Sequence, residues 1–261
     1  MCTLIAIHRQ VPGAPLVVAA NRDEYYARPA EGPALRDVPA GAVVAPLDLQ
    51  AGGTWVGINA AGVLAAVTNR RCTSPDETLR SRGWLVMDAL ASRSAAEAAA
   101  RLGDLPQQAY NPFNCFVADR NDAFACVYQG AARVFALAPG AHVVGNVEPD
   151  ARDDAKVARV LERAEKAAAR PAHRVLDELA ELCREHDSGS TALHDTCVHA
   201  GPYGTRSSLL FRLDPSGASS QLLYADGPPC TTAYEDFTPL LDELSPKASY
   251  ARAGTAARTT S

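Results

Sequence analysis

The chain has 261 residues, of which 47% are hydrophobic and 21% are charged, and its formal net charge is -5. This composition supplies a sizeable core, and the length is within reach of one large α/β or α+β domain. The net negative charge argues against nucleic acid and anionic membrane surfaces as obligatory partners. A small-molecule substrate is therefore the expected partner, and a homo-oligomer stays open.

The cysteines indicate a reducing compartment. There are seven, an odd number, and they are scattered without a CxxC pair. This pattern suits free thiols better than a disulfide framework. No apolar run is long enough to span a bilayer, and the start lacks the basic-then-apolar order of a secretory signal. The sequence therefore predicts a cytoplasmic protein without an integral membrane segment.

The first part of the chain predicts strands. Two β-rich runs, CTLIAIHR and PLVVAANR, flank the turn signal VPGAP, and TWVGINAAGVLAAVTN has the pattern of a hairpin. Residues 27–53 are rich in Pro, Gly and Ala and predict an irregular loop, with a short strand at AVVAP as an open alternative.

Helices and strands alternate in blocks through the rest of the chain. Helical spacing within residues 80–102 predicts two helices, with Ser94 as the cap of the second. A meander of four short strands follows, and then two helices, roughly Asp153–Ala169 and Ala172–Glu185, that are separated at a proline. The last strands are predicted at SSLLFRL and SQLLYAD.

This order of elements predicts the fold class and the domain organisation. Strand blocks with internal hairpins, separated by helix blocks, indicate α+β architecture with antiparallel sheets and segregated helices. We expect residues 1–244 to form a single domain. Residues 245–261 are rich in Ala, Ser, Thr and Arg without periodicity and predict a disordered tail.

Cys2, directly behind the initiator methionine, is the first candidate for chemistry. Removal of the methionine would leave a thiol and a free α-amine on one residue. Their reference pKa values, about 8.5 and about 7.7 to 8.0, are close enough for proton exchange near neutral pH. The amine could then act as the local base for a thiol nucleophile. The alternative is that Cys2 is a small apolar residue of the first strand.

Other polar residues stand at strand ends where they could join Cys2. Pairing of the first two strands could bring Asp23 near the thiol, whereas Arg22 and Glu24 alternate to the opposite face, so only one of the two sets is expected to face it. Asn69 and Asn146 each close a strand. An Asn side-chain N–H is a suitable oxyanion donor, and the alternative for each is a turn former.

Taken together, the motifs resemble a known family. The stretches MCTLIAI, ANRDE, GGTWVGIN, GVLAAVTNRR, SRGWLV, YNPFNCFVAD, GN and YGTRSS occur in the order found in the NRDE-motif family, also called the transport and Golgi organisation protein 2 family. That family is in turn similar to the N-terminal nucleophile hydrolases of the penicillin V acylase and bile salt hydrolase branch. The resemblance implies a four-layer αββα sandwich of two antiparallel sheets flanked by helices. It also implies cleavage of non-peptide C–N amide bonds by an N-terminal cysteine.

The resemblance also implies roles for particular residues. Cys2 matches the nucleophile, and Asp23 matches the acidic residue that orients the cysteine amine. Asn69 and Asn146 match the two oxyanion donors. Arg206, in TRSS, matches an arginine that supports the site of the nucleophile.

The substrate contacts are expected close to these residues, at Asn21, Arg22, Arg70 and Trp55. The acylases carry an arginine one position before the residue that matches Asn21, where this chain has Ala20. Arg22 is the nearest substitute for that arginine. Arg70 could meet an anionic substrate group or form part of a solvated surface pair, and Trp55 could line the pocket or pack in the core.

These expectations lead to a hypothesis of a Cys2-dependent amidase or acyltransferase acting on an amide or thioester of a small molecule. No cofactor is predicted in that case. The resemblance also admits a haem- or acyl-CoA-binding trafficking protein without catalysis, and a chaperone-like interaction protein is a third possibility.

A metal site is not predicted from the sequence. His194, Cys197 and His199 lie close together in HDTCVHAG and could be read as ligands, but their spacing fits no standard zinc pattern. A solvated loop is the favoured interpretation of this segment.

Overall fold

Two antiparallel sheets of seven strands each form the centre of the protein in a computed structural model that describes residues 2–39, 41–186, 191–217 and 219–244. The strands are β1 (Thr3–Val11), β2 (Ala14–Tyr25), β3 (Ala30–Val38), β4 (Gly41–Asp48), β5 (Val56–Asn59), β6 (Leu64–Asn69), β7 (Phe113–Ala118), β8 (Ala123–Tyr128), β9 (Ala132–Ala136), β10 (Gly140–Val144), β11 (His199–Ala200), β12 (Tyr203–Leu213), β13 (Gln221–Ala225) and β14 (Glu235–Asp236).

The first sheet has the order β10-β1-β2-β12-β13-β14, with β11 paired to β12, and the second runs β3 to β9 in sequence order. The helices are α1 (Arg82–Leu90), α2 (Ala95–Gly103), α3 (Ala155–Ala168), α4 (Ala172–Arg184) and α5 (Pro239–Glu243), with a 3-10 turn at Ala192–His194.

Side-chain alternation along the strands builds four layers. On β1, Ile5 and Ile7 pack against α3 and α4, whereas Leu4 and Ala6 pack in the core between the two sheets. A third core joins the second sheet to α1 and α2. Because successive side chains of a strand point to opposite faces, each sheet is covered on both sides. The predicted four-layer αββα sandwich is confirmed.

The predicted helices are confirmed with their boundaries within two residues. Ser94 caps α2, since its hydroxyl accepts a hydrogen bond from the main-chain N–H of Glu97. Pro171 is the cap residue of α4 and separates it from α3. Proline has no N–H to donate inside a helix, so it stands at a boundary.

The predicted loop over residues 27–53 is wrong, because most of it forms β3 and β4. Proline and glycine argued against strands, but the pairing shifts register between Glu31 and Ala34, and Pro33 lies in that irregularity. Pro46 lies beyond the pairing of β4 with β5, which is limited to Val43 and Val44. Proline is tolerated at edges and bulges, where no ladder hydrogen bond is lost.

The predicted tail at 245–261 lies outside the described residues. No helix in the described part of the chain combines the length and apolar character needed to cross a membrane.

Two glycines allow α1 to approach the second sheet. The main-chain N–H of Thr54 donates to the carbonyl of Gly83 at 3.2 Å. A Cβ added at Gly53 would lie 2.3 Å from the carbonyl carbon of Gly83. This contact is main chain against main chain, so no side chain can rotate to relieve it.

We expect Gly53→Ala to destabilise the fold by about 1–3 kcal/mol or more through this clash. The free energy of unfolding in denaturant tests it. Gly103→Ala is the matched control, because its added Cβ would meet no atom closer than 4.0 Å. Equal stability of the two variants would contradict the close approach.

Candidate active site

Strand pairing brings the start of the chain to Asp23. The register of β1 and β2 pairs Thr3 with Asn21, so Cys2 runs beside the residues that follow Asn21. The Cys2 Sγ lies 4.0 Å from the carbonyl oxygen of Asp23, and the Tyr203 hydroxyl donates to the same oxygen at 2.9 Å. The first hairpin therefore joins Cys2 to Asp23.

Alternation along β2 divides its last side chains between two faces. Asn21 points to the helix layer, where its Nδ2 donates to the carbonyls of Cys183 and Thr196. Arg22 points to the space between the sheets and contributes to a cavity that Cys2 also lines. Arg22 and Glu24 share a cavity with Cys2. Asp23, on the opposite face, approaches the thiol with its main-chain carbonyl.

The Asp23 carboxylate is buried in the helix-side layer. It is 3% exposed, and its Oδ1 accepts a hydrogen bond from the Thr205 hydroxyl at 2.7 Å. Burial raises the pKa of Asp23 to about 6, against the lowering effects of the nearby Lys156 ammonium and the Thr205 hydrogen bond. The group is therefore mostly ionised at neutral pH and suited to holding an ammonium group.

Cys2 lies at the meeting point of two cavities. The first, here called the arginine cavity, opens between the ends of the two sheets and the start of α1; besides Cys2, its polar and aromatic lining consists of Arg22, Glu24, Arg28, Asp48, Thr54, Trp55, Asn69, Ser81 and Arg82. The second, here called the lysine cavity, lies between β1, β10 and α3; besides Cys2, its polar lining consists of Thr3, Arg71, Asn146, Asp154, Lys156 and His194.

The arginine cavity carries an excess of positive charge. Arg22 is only 4% exposed; it pairs with Asp48 at 3.1 Å and lies 4.3 Å from the centre of the Trp55 ring. Its Nη1 has no hydrogen-bond partner among the described residues. Three arginines line this cavity against two carboxylates. An anionic or carbonyl oxygen is the group that such a lining would bind.

Burial also affects the cations near Cys2. It lowers the pKa of the Arg82 guanidinium, and the nearby Cys2 sulfur acts in the opposite direction. Lys156 has a buried ammonium nitrogen without a hydrogen-bond partner in the described part of the chain. Burial lowers the pKa of Lys156, and Asp23 opposes that shift.

The two predicted oxyanion asparagines lie on either side of Cys2. Asn69 lines the arginine cavity and Asn146 the lysine cavity. The Asn146 Nδ2 donates one hydrogen bond to the main-chain carbonyl of Asn69. An amide nitrogen has two hydrogens, so a second donor remains.

The thiol needs a base before it can act. Burial raises the pKa of Cys2 above its ordinary value, despite the lowering effect of the Asp23 carbonyl and of Arg22. Since the thiolate is the nucleophilic form, any reaction of this thiol as a nucleophile would require proton transfer to a nearby group. Among the described residues that line the two cavities, His194 is the only histidine.

Two predicted substrate contacts have side chains engaged within the fold. Asn21 is 1% exposed and uses its side chain to hold α4 and the segment before β11, while its Oδ1 accepts from Ser208. Arg70 bonds Asn114, the Val147 carbonyl and Glu148. Neither residue lines the arginine cavity or the lysine cavity, and their role as substrate contacts stays a prediction.

Three predicted residues have other outcomes. Arg22 and Trp55 line the arginine cavity together with Cys2, and their role as substrate contacts stays a prediction. Arg206 forms an ion pair with Asp226 at 2.7 Å and lines neither cavity, so its described contacts do not place it beside Cys2.

Sequence reasoning missed several side chains of the site. Lys156 follows the cap of α3 by two residues, and Thr205 stands at the bulge of β12. Lys156 belongs to no quoted motif, whereas Thr205 lies in YGTRSS and Arg82 in SRGWLV without a role assigned to either. The fold brings Arg82 to the site by placing the start of α1 at the arginine cavity.

The predicted solvated loop at HDTCVHAG is also wrong for Cys197, which is completely buried. Its sulfur lies 3.5 Å from that of Cys230 and 3.7 Å from Nε2 of His199. His194 is not part of this group, and its Nδ1 pairs with the hydroxyl of Thr191.

Solved structures of other proteins share this fold. They include an N-acylethanolamine-hydrolyzing acid amidase orthologue from Caenorhabditis elegans (TM-score 0.59, 12% identity, 84% of this chain and 94% of that chain). Penicillin V acylase from Agrobacterium tumefaciens matches with a TM-score of 0.58, at 14% identity, over 95% of this chain and 89% of its own. A conjugated bile acid hydrolase variant from Clostridium perfringens matches with a TM-score of 0.52, at 13% identity, over 92% and 93%. The protein has the fold of the N-terminal nucleophile hydrolases.

Sequence comparison gives the family. The family model described as Transport and Golgi organisation 2 matches residues 1–222. The human Transport and Golgi organization protein 2 homolog is 28% identical over 232 residues, which is 77% of this chain and 83% of the relative. The mouse homolog is 27% identical over 232 residues, with the same coverage. The chain belongs to the Transport and Golgi organisation 2 family, as the motifs indicated.

The environment of Asp23 predicts a pH-dependent effect on stability. Because the pKa of about 6 in the folded protein lies above the ordinary 3.8, the folded state binds the extra proton, and the wild type loses stability as pH rises through that interval. Asp23→Asn keeps an oxygen for Thr205 and does not titrate. It should match the wild type near pH 4 and exceed it by up to about 3 kcal/mol near pH 7.5.

Denaturant unfolding at both pH values measures this difference, with Asp104→Asn at the exposed end of α2 as the surface control. A variant less stable than the wild type near neutral pH would show that Asp23 is a net stabilising charge.

Proposed function

We propose that the protein is an N-terminal-cysteine amide hydrolase or acyltransferase, which acts on a non-peptide C–N amide, or a thioester, of a small molecule. Cys2 becomes the first residue when the initiator methionine is removed. The proposed compartment is the cytoplasm, because the seven cysteines carry no disulfide.

One observation carries this proposal: Cys2 lines two cavities, while the buried carboxylate of Asp23 lies on the paired strand. A carboxylate buried to 3% exposure next to the chain start has a physical use if it holds the Cys2 ammonium or amine. The amine can then take the thiol proton, which replaces a separate histidine base.

The reaction follows from these groups. The Cys2 amine accepts the thiol proton as the sulfur attacks the carbonyl carbon, and a C–S bond forms. The carbonyl electrons move to the oxygen, which the N–H groups of Asn69 and Asn146 stabilise. The C–N bond then breaks, and the ammonium returns its proton to the leaving nitrogen. Water hydrolyses the resulting thioester to an acid, or an acceptor amine takes the acyl group.

The arginine cavity supports a polar substrate. Arg22 has a buried N–H group without a partner in the described structure, and Arg28 and Arg82 add positive charge. A carboxylate or another oxygen-rich group of the substrate would satisfy that donor. Trp55 supplies an aromatic surface beside it, partly covered by Arg22.

The free terminus of Cys2 is the first test. A protease that cuts directly before Cys2 would release a chain whose first residue is Cys2. We expect an electrophilic acyl probe to label Cys2 of this chain before the six other cysteines, and we expect the chain to hydrolyse amide substrates. Chain released with one glycine before Cys2 is the matched control and should lose nearly all activity, because its amine is displaced from Asp23. Peptide mapping and amide turnover measure both.

Equal labelling and turnover in the two forms would reject the amine-base mechanism. A Soret band on haem titration that Cys2→Ala abolishes, with no turnover in either form, would instead support the haem-binding alternative.

The oxyanion donor is the second test. Asn69→Ala should lower kcat by about 100-fold, because one charge-stabilising N–H is lost from the transition state. The KM should change little by comparison. Asn121→Ala, at an exposed turn outside both cavities, is the control and should retain wild-type kinetics. Comparable losses in both variants would remove Asn69 from the mechanism.

A further inference from the structure

We propose that the protein contains a structural zinc site, separate from both cavities at Cys2 and independent of the proposed reaction. Its ligands are two cysteines and two histidines that come from three segments distant in sequence: His186, Cys197, His199 and Cys230. One ligand atom from each residue can be chosen so that all four lie within 4.8 Å of one another.

The distances between these side-chain atoms match the edges of a tetrahedral metal site. With zinc–sulfur bonds of about 2.3 Å and zinc–nitrogen bonds of about 2.0 Å, the edges would be about 3.8 Å between sulfurs and about 3.5 Å between sulfur and nitrogen. The two sulfurs, of Cys197 and Cys230, are 3.5 Å apart. The Nε2 of His199 lies 3.7 Å from the first sulfur and 3.2 Å from the second.

His186 completes the set from the exposed side. Its ring is stacked on that of His199, with the ring centres 5.1 Å apart and the planes inclined by 30°. The imidazole therefore approaches the free side of the Cys197, His199 and Cys230 group. A small closing movement of this exposed side chain brings its nitrogen to bonding distance.

A polar group lies near the Nδ1 atom of each imidazole. The hydroxyl of Tyr26 lies 3.4 Å from Nδ1 of His199, which leaves Nε2 toward the sulfurs. A carboxylate oxygen of Asp195 lies 4.0 Å from Nδ1 of His186. Ligand histidines in zinc sites usually donate their second N–H to a carboxylate, carbonyl or hydroxyl group. Both histidines have such a group on that side.

The ligand set points to zinc and to a structural role. Two thiolates with two imidazoles suit zinc, and binding would displace one proton from each thiol to solvent. Four protein ligands fill a tetrahedral shell and leave no position for substrate. The site would join the end of α4 to the β11–β12 hairpin and to the loop after β13. The first two of these segments are already in contact, since the N–H of Cys197 donates to the Glu185 carbonyl at 3.0 Å.

A disulfide between the two cysteines is the competing chemistry. It would require the sulfurs to move from 3.5 Å to about 2.0 Å and two electrons to leave to an oxidant. It would also leave the converging histidines without a role. The proposal therefore commits to metal binding, and the disulfide is an outcome of the test.

The test uses the full chain, without a histidine tag, purified under reducing conditions after growth with added zinc. We expect about one zinc per chain by elemental analysis. Replacement by cobalt should give the visible and sulfur-to-metal bands of a tetrahedral thiolate site. Cys230→Ser and His186→Gln should each lower metal affinity by roughly tenfold or more, whereas Cys72→Ser, at an exposed cysteine, should keep it.

Several results would overturn the proposal. One is a chain that is folded by circular dichroism but binds neither zinc nor cobalt. Another is a metal affinity that is unchanged in both ligand variants. The third is a disulfide, seen as an intact mass lower by two hydrogens that is restored by reductant. His186→Gln keeps the test decisive if Cys230→Ser does not fold, since His186 lies at the surface. Amide turnover is not a readout, so failure here would not count against the proposed function.

Discussion

The pairing of β2 between β1 and β12 is the constraint on which the site depends. It fixes the chain start beside Asp23, and its two-residue alternation sends Asn21 and Asp23 to the helix layer and Arg22 to the inter-sheet space. A shift of register by one residue would exchange these faces and bury the guanidinium in the helix layer. The same ladder therefore specifies the core and separates the Asp23 carboxylate from the Arg22 guanidinium of the arginine cavity.

Keeping Asp23 buried has an energetic cost that its neighbours only partly offset. Desolvation is the largest influence on its pKa, and the Lys156 ammonium and the Thr205 hydroxyl act against it. Buried ionisable groups with strongly shifted pKa values concentrate at functional sites. In the proposed reaction, the amine of Cys2 would add a further positive charge beside this carboxylate.

Sequence patterns predicted the local half of this architecture. Asp23 and Cys2 follow from one hairpin, and Asn69 and Asn146 stand at strand ends, so short-range periodicity was sufficient to nominate them. Lys156 and Thr205 reach Asp23 only through packing between elements far apart in sequence, which no spacing rule encodes. Asn21 belongs to a motif, but the motif does not reveal that its amide nitrogen donates to two main-chain carbonyls. The strands at 30–48 were missed because bulges absorb their prolines.

The cysteine–histidine group is connected to the Asp23 carboxylate by a short series of hydrogen bonds. Between Cys197 and His199, the N–H of Val198 donates to the Thr205 hydroxyl, and the N–H of Thr205 donates back to the Val198 carbonyl, each at 2.8 Å. That hydroxyl has one hydrogen, and it is given to Asp23. The segment that carries two of the four converging side chains thus sets the orientation of the group that holds the carboxylate. If this hairpin is held rigidly, the Thr205 hydroxyl is held with it, because its position as acceptor from Val198 and donor to Asp23 fixes the direction of its single hydrogen.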